Sequence, residues 1–420
     1  MDFNGTLANG VALYTCLNPD LPEFCVTLLV RQGAAHEPRD RHGLAHFLEH
    51  ALFRALSERM DRQLYPTLTR LAMNFDASTF STCVRFTVTG PSAHFEKGLE
   101  LLLGLLEPPA LSLDALNLER LRVQAEIREE AEGDAADTFA HTRVWQGTPM
   151  ARSITGTLSS TNRIGMDSLA AEHARWFAAG NFCFCATGSA DLGTLRARLE
   201  ALAPRPGGVA RQSVPVPVGF FRRDAAVLVE DAGYCWLRFC VDVDTARDSP
   251  LALTLLTEAL RGDFGALYLA LSEDTGLAYG INDYFERCGN IGSFYFDFET
   301  RRERLAEAVD AVVAMLNALK RAPDDFWEDV RQGFILAERC RECDAESFNG
   351  AWLFDNARCG CGFQSTADRD AAYLAVSPEA LRQLARAVFT PQNVMLCLRA
   401  PKRRVDVRDL HERLMRLKTE

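Results

Sequence analysis

No run of 18 or more apolar residues occurs in the 420-residue sequence, so no segment reads as a bilayer-spanning helix. A Lys/Arg block is missing too: 46 basic residues stand against 57 acidic ones, a net charge of −11, which removes the electrostatic footprint of a nucleic-acid binder. The opening Met1-Asp2-Phe3-Asn4-Gly5 has no basic stretch leading into an apolar core, so no secretory signal is expected and the cytoplasm is the expected compartment. An even, regularly spaced cysteine framework is likewise absent. The 13 cysteines run from Cys16 to Cys397, a pattern of reduced, mostly buried thiols rather than of disulfides.

What remains is ordinary globular material, 48% hydrophobic and 25% charged, long enough for two domains of roughly 200 residues each. Strand-like runs at Val11–Tyr14 and Phe24–Val30 flank the turn Asn18-Pro19-Asp20 and predict an opening hairpin. A charged loop, His36 to His42, leads into Gly43–Phe53, which has the periodicity of a largely buried helix. Further strands are expected at Met73–Asp76, Cys83–Thr89 and Phe182–Gly188, and helices at Phe95–Leu106, Leu113–Glu132, Met166–Phe177 and Leu192–Leu202. The Pro- and Gly-rich stretch Ala203 to Pro215 reads as a linker, giving domains at 1–205 and 216–420 joined by residues 206–215.

Beyond the linker the order of elements begins again, with a strand at Cys235–Val243, a charged loop at Asp244–Asp248 and a helix from Pro250 to Thr257. Laid against Gly43-Leu44-Ala45-His46-Phe47-Leu48-Glu49-His50, this helix has Leu253, Leu256 and Thr257 where the first has His46, Glu49 and His50. The pattern is that of an internal duplication in which only the first copy carries chemistry.

Residues four apart share one face of a helix, so His46 and His50 can direct imidazole nitrogens at a single ion while Glu49 projects beside them. Two histidines and a carboxylate inside an apolar helix each cost free energy unless something pairs with them. One Zn2+ per chain would supply that pairing. A catalytic zinc takes three protein ligands and keeps a position for water. The charged helix Leu118 to Glu130 offers Glu126 as the third ligand, and composition does not separate it from Glu119, Glu129 or Glu130.

The ordered set of motifs resembles the pitrilysin/insulinase group of zinc peptidases, the inverzincins, whose signature is H-x-x-E-H. Gly43 to His50 matches the motif helix, Phe75-Asp76-Ala77-Ser78-Thr79 is similar to the group's substrate-binding edge strand, and Pro149–Gly156 and Asn181–Gly188 fit its patterns. Seven residues apart on one helical face, Glu119 and Glu126 match a glutamate that supports the metal and the third zinc ligand. The resemblance implies an α+β chain of two homologous α/β-roll domains, each an antiparallel-rich sheet packed with helices, and two chains closing as a clamshell dimer around a chamber. It implies a zinc endopeptidase with His46, His50 and Glu126 on the metal and Glu49 as general base. Substrate would lie along Phe75, Asp76, Ala77 and Ser78 by strand addition.

Two departures qualify this. Leu269 to Tyr279 resembles the segment that carries an arginine and, seven residues on, a tyrosine that help bind substrate and stabilise the oxyanion; Tyr279 is present, but Ser272 holds the arginine position. Serine offers no cationic fork. The expectation is a heterodimer in which a homologous partner supplies the Arg/Tyr pair, with a homodimer as the alternative. Asp76 stands where asparagine is usual and cannot donate a hydrogen bond unless protonated. Peptide processing, such as removal of a leader segment, is the concrete function expected by analogy. A non-catalytic structural or peptide-binding member of the same fold is the alternative. Cys340, Cys343, Cys359 and Cys361 have the generic spacing of a knuckle and are a candidate second zinc site.

Overall fold

The computed structural model describes residues 2–132, 135–203, 225–230, 233–245, 247–261, 265–288, 291–401 and 405–417; the expected linker, 206–215, lies outside them. No described helix is long and apolar enough to cross a membrane.

The first sheet has six strands: β1 Asn4–Thr6, β2 Ala12–Leu17, β3 Glu23–Val30, β4 Asn74–Thr79, β5 Val84–Pro91 and β6 Phe182–Gly188. Their spatial order is β1-β2-β6-β3-β5-β4, with β2 and β6 parallel and the other neighbours antiparallel. The expected hairpin between β2 and β3 does not form, because β6 lies between them. Strand periodicity says which residues face inward and nothing about which strand lies alongside. Alternation decides the two faces of β3: Phe24, Val26, Leu28 and Val30 enter the apolar core, whereas Thr27 joins its hydroxyl to that of Thr87 on β5 at 2.9 Å.

The second sheet has five strands: β7 Ala226–Val229, β8 Cys235–Asp244, β9 Ile281–Cys288, β10 Ile291–Thr300 and β11 Val394–Ala400. Its order is β7-β11-β8-β10-β9, again with one parallel pair, β7 and β11. Reading β2 to β6 as β7 to β11 reproduces the first sheet, β1 apart, strand for strand and direction for direction. The helices repeat as well. In the first copy these are α1 Leu44–Arg59, α2 Phe95–Gly104, α3 Leu113–Glu132 and α4 Ala135–Val144; in the second, α5 Pro250–Leu260, α6 Leu305–Leu319, α7 Asp324–Arg341 and α8 Ala345–Leu353.

The compact units do not follow one cut in the sequence at 206–215. Unit one comprises Met1–Gly133, Arg152–Ser213 and Ala337–Arg369; unit two comprises Asp134–Ala151, Val214–Leu336 and Asp370–Glu420. Each sheet is therefore covered by a helix from the opposite half of the sequence. α4 packs on β11, β7 and β8, and α8 packs on the equivalent β6, β3 and β2. Polar contacts fix α8 there: the Asn349 amide donates to the Cys185 carbonyl at 3.2 Å and the Thr187 hydroxyl donates to the Ala345 carbonyl at 2.6 Å. Trp352 and Phe348 are buried beside them. On the second sheet, Asp137 of α4 accepts from Arg238 at 2.6 Å, and Arg238 also donates to Asp297.

Candidate metal centre

The metal helix begins at Gly43, whose φ of 90° lies in the left-handed region that suits glycine. A Cβ there would lie 2.5 Å from the Thr155 carbonyl oxygen, so the chain at 155–156 rests directly on the helix start. Along α1, Leu44, Phe47, Leu48, Ala51 and Leu52 are buried in the core at helical spacing. The same periodicity turns His46, Glu49, His50 and Arg54 to the opposite face, toward α3, which packs on α1.

Glu126 of α3 places Oε2 3.3 Å from Nε2 of His46 and 3.3 Å from Nε2 of His50. The three donor atoms lie within 4.8 Å of one another, and no other such group of His, Cys, Asp or Glu occurs among the described residues. A tetrahedral zinc with ligands at about 2.0–2.1 Å has ligand-to-ligand edges of about 3.3 Å. The donor set of two imidazoles and one carboxylate therefore fits that ion in chemistry, and the two edges from Glu126 to the imidazoles match its spacing.

Around these three, Glu119 is fully buried and accepts from Nε of Arg54 at 2.6 Å and from Arg122 at 3.2 Å, while Nδ1 of His50 lies 3.4 Å from its Oε2. It holds the His50 ring by the nitrogen that faces away from Glu126. Burial alone would raise the Glu119 carboxyl, but the hydrogen bonds from His50 and Arg54 and the charge of Arg122 outweigh it and leave it below its ordinary value. Burial and the neighbouring His50 hold His46 down to about 3, which keeps its imidazole neutral and able to ligate. Burial pulls His50 the same way, but Glu119, Glu126 and Glu49 reverse the sign and raise it. Glu49 is raised by burial and by the charges of Asp76 and Glu126, against a hydrogen bond from Thr79, whose hydroxyl donates to Glu49 Oε2 at 2.5 Å.

Thr79 closes β4, the edge strand that carries Phe75, Asp76, Ala77 and Ser78. Phe75 is buried against Phe53 of α1 with ring centroids 4.8 Å apart, and Asp76 is exposed. Tyr279 is 94% exposed on the turn after the segment Leu269–Glu273, and the Ser272 carbonyl accepts from Gly276 within that turn. Both belong to unit two. Cys340 lies on α7 and Cys343 just beyond it, both exposed; with Cys359 and Cys361 they form no metal-type cluster among the described residues, and none of the 12 cysteines with a described side chain is in a disulfide.

Sequence reasoning missed several residues that build the site. Arg54 was findable, because it follows His50 by four residues on the same helical face. Thr79 lay within the quoted edge strand without a role. Glu37 had no local signal: it sits in the charged loop, and only the fold brings its carboxylate to the amides of Gly43 and Ala45.

Residues 18–158 match the family model described as Insulinase (Peptidase family M16), and residues 163–332 match that of the Peptidase M16 inactive domain. The chain belongs to this insulinase family. Its second match agrees with the loss of ligands from α5, where buried Leu253 and Leu256 replace His46 and Glu49. The chain is 29% identical over 218 residues to coenzyme PQQ synthesis protein F of Pseudomonas aeruginosa, covering 50% of this chain and 28% of that protein. Identity is 25% over 189 residues to mitochondrial-processing peptidase subunit beta of Lentinula edodes, covering 44% and 40%. It is 22% over 309 residues to an uncharacterized zinc protease of Rickettsia felis, covering 71% and 73%. The match thus spans less than half the length of the first two relatives. Among solved structures, an M16-like peptidase from Alicyclobacillus acidocaldarius superposes with a TM-score of 0.81 at 16% identity, covering 96% of this chain and 98% of that one. A protease from Helicobacter pylori gives 0.79 at 17%, covering 96% and 99%. These two share the fold of this M16 chain.

Proposed function

We propose that the chain is a zinc-dependent endopeptidase for short or unfolded peptides and the metal-bearing subunit of a heterodimer. The observation that carries this is the convergence of His46 Nε2 and His50 Nε2 on Glu126 Oε2, each at 3.3 Å, on the face of α1 that also bears Glu49. Zinc bound there would lower the pKa of a coordinated water and polarise a peptide carbonyl. Glu49 takes the water proton and passes it to the leaving amine, a role suited to a carboxyl raised by burial. Thr79 holds Glu49 by one oxygen, leaving the other for the proton. Glu119 keeps His50 oriented through Nδ1. The free edge of β4 suits an extended peptide, because strand addition uses main-chain groups and tolerates varied sequences. Asp76, exposed on that strand, would favour donors or cations on the substrate over carbonyls.

Ser272 motivates the heterodimer: the family resemblance calls for arginine at this position, and a homologous partner would bring the Arg/Tyr pair. A relative named as a processing peptidase subunit and a similar solved chain within a Complex III assembly support a chain that works beside others. Ser272 also favours a second reading, a non-catalytic peptide-binding or structural member. One experiment separates the two. Peptide cleavage by the purified chain with its co-purifying partner should be abolished in Glu49→Gln while zinc content stays at one per chain. Equal cleavage by both proteins, or by neither, would remove the enzyme reading. Pull-down of the tagged chain should recover a homologous subunit; recovery of this chain alone favours the homodimer.

A further inference from the structure

We propose that Glu37 is a positioning residue for the metal centre, the anchor of a clasp that ties the start of α1 to α3. Its carboxylate is buried, 7% exposed, yet it is neither a ligand nor a partner of any ligand side chain. Both oxygens are committed: Oε2 accepts from the Gly43 amide at 2.6 Å and Oε1 from the Ala45 amide at 2.5 Å, two donors that the first turn of a helix leaves unpaired. Ala45 immediately precedes His46, so the carboxylate fixes the turn from which the first ligand projects.

The rest of the clasp is the segment Arg152 to Gly156. Arg152 donates to the Glu37 carbonyl at 3.1 Å. Thr155 and Gly156 lie against Gly43 so closely that a Cβ on Gly43 or on Gly156 would come within 2.5 Å of backbone oxygen. The Thr155 hydroxyl then donates to Glu130 at 2.6 Å, one helical turn beyond Glu126 on α3. A continuous set of contacts therefore runs from the helix that bears two ligands to the helix that bears the third. It bypasses the metal cluster itself. Glu119 already ties α3 to α1 through Arg54 and His50, farther along α1; the clasp adds a second tie at the helix start, where His46 projects toward Glu126.

The inference rests on the metal-centre reading, and its test does not use peptidase activity. Parent, Glu37→Gln and Thr155→Val chains would be titrated with Zn2+ in competition with a chelator, and with Co2+ to record its d–d absorption. Glutamine must turn an NH2 toward one of the two amides, so Glu37→Gln should bind zinc at least tenfold more weakly, the loss typical of groups that orient ligands. Its cobalt spectrum should change while the far-ultraviolet circular dichroism does not. A folded Glu37→Gln chain with parental affinity and spectrum overturns the proposal. If that variant does not fold, Thr155→Val, which removes the hydroxyl that joins the clasp to Glu130 and to Ser153, decides: weaker zinc binding supports the clasp and parental binding overturns it. A parent that binds neither ion sinks the metal reading instead. Amide exchange at Gly43 and Ala45 then judges the clasp, with faster exchange in Glu37→Gln expected and unchanged exchange ending the idea.

Discussion

At the scale of single residues, the centre combines groups whose charges are set by opposing environments. His46 is kept neutral by burial, Glu119 is kept ionised by its hydrogen bonds from His50 and Arg54, and Glu49 is lifted by burial above the ordinary carboxylate value. Glu37 gives a pH prediction that needs no metal. Burial lifts its carboxyl from 4.5 to about 7, against the pull of the Ala45 and Gly43 amides and Arg152. A carboxyl raised on folding binds its proton in the native chain where the unfolded chain has lost it. Its contribution to stability is thus full below about pH 4.5 and is lost as the pH rises through about 7. The urea midpoint of the metal-free parent should fall relative to that of Glu37→Gln as the pH is raised across that window. A constant gap would show that Glu37 does not titrate there.

At the scale of elements, α1 was readable because its two periodicities agree: apolar residues at 44, 47, 48, 51 and 52 mark the core face and the remainder carries His46, Glu49 and His50. Its start at Gly43 was readable, but the reason for that start was not. The sequence has glycine at 43, but the reason for it is the backbone of Thr155 and Gly156 pressed against it. Gly43→Ala should cost about 1–3 kcal/mol from its left-handed conformation alone, with the clash added, and a lowered urea midpoint would measure it. No drop would mean that the 155–156 segment moves away freely. The strands show the same division. β3 and β6 were recognisable from their apolar runs, yet the insertion of β6 between β2 and β3 overturns the hairpin that their adjacency in sequence suggested.

At the scale of the whole molecule, the duplication visible in the order of strand, loop and helix is borne out by a five-strand order common to both sheets, to which the first adds β1. What the sequence order hid is the exchange of α4 and α8, which makes each compact unit depend on the opposite half of the chain. A fragment of residues 2–203 lacks α8 and exposes the sheet face bearing Cys25, Cys185 and Thr187, all buried in the whole chain. We expect it to lack a cooperative unfolding transition, and a peptide of residues 337–369 to restore one. A fragment that unfolds cooperatively by itself would show that α8 is dispensable.

The sequence by itself determined the metal helix, the two-fold repetition and the family, because residue type and spacing along one helix or strand are local properties that the chain carries into any fold. Composition did not choose Glu126 over its neighbouring glutamates; the 3.3 Å approach to both histidines decided that. Only the tertiary structure assigned Thr79 to the base, Glu119 to His50 and Glu37 to the helix start. Such contacts depend on where elements distant in sequence come to rest, and packing alone fixes that.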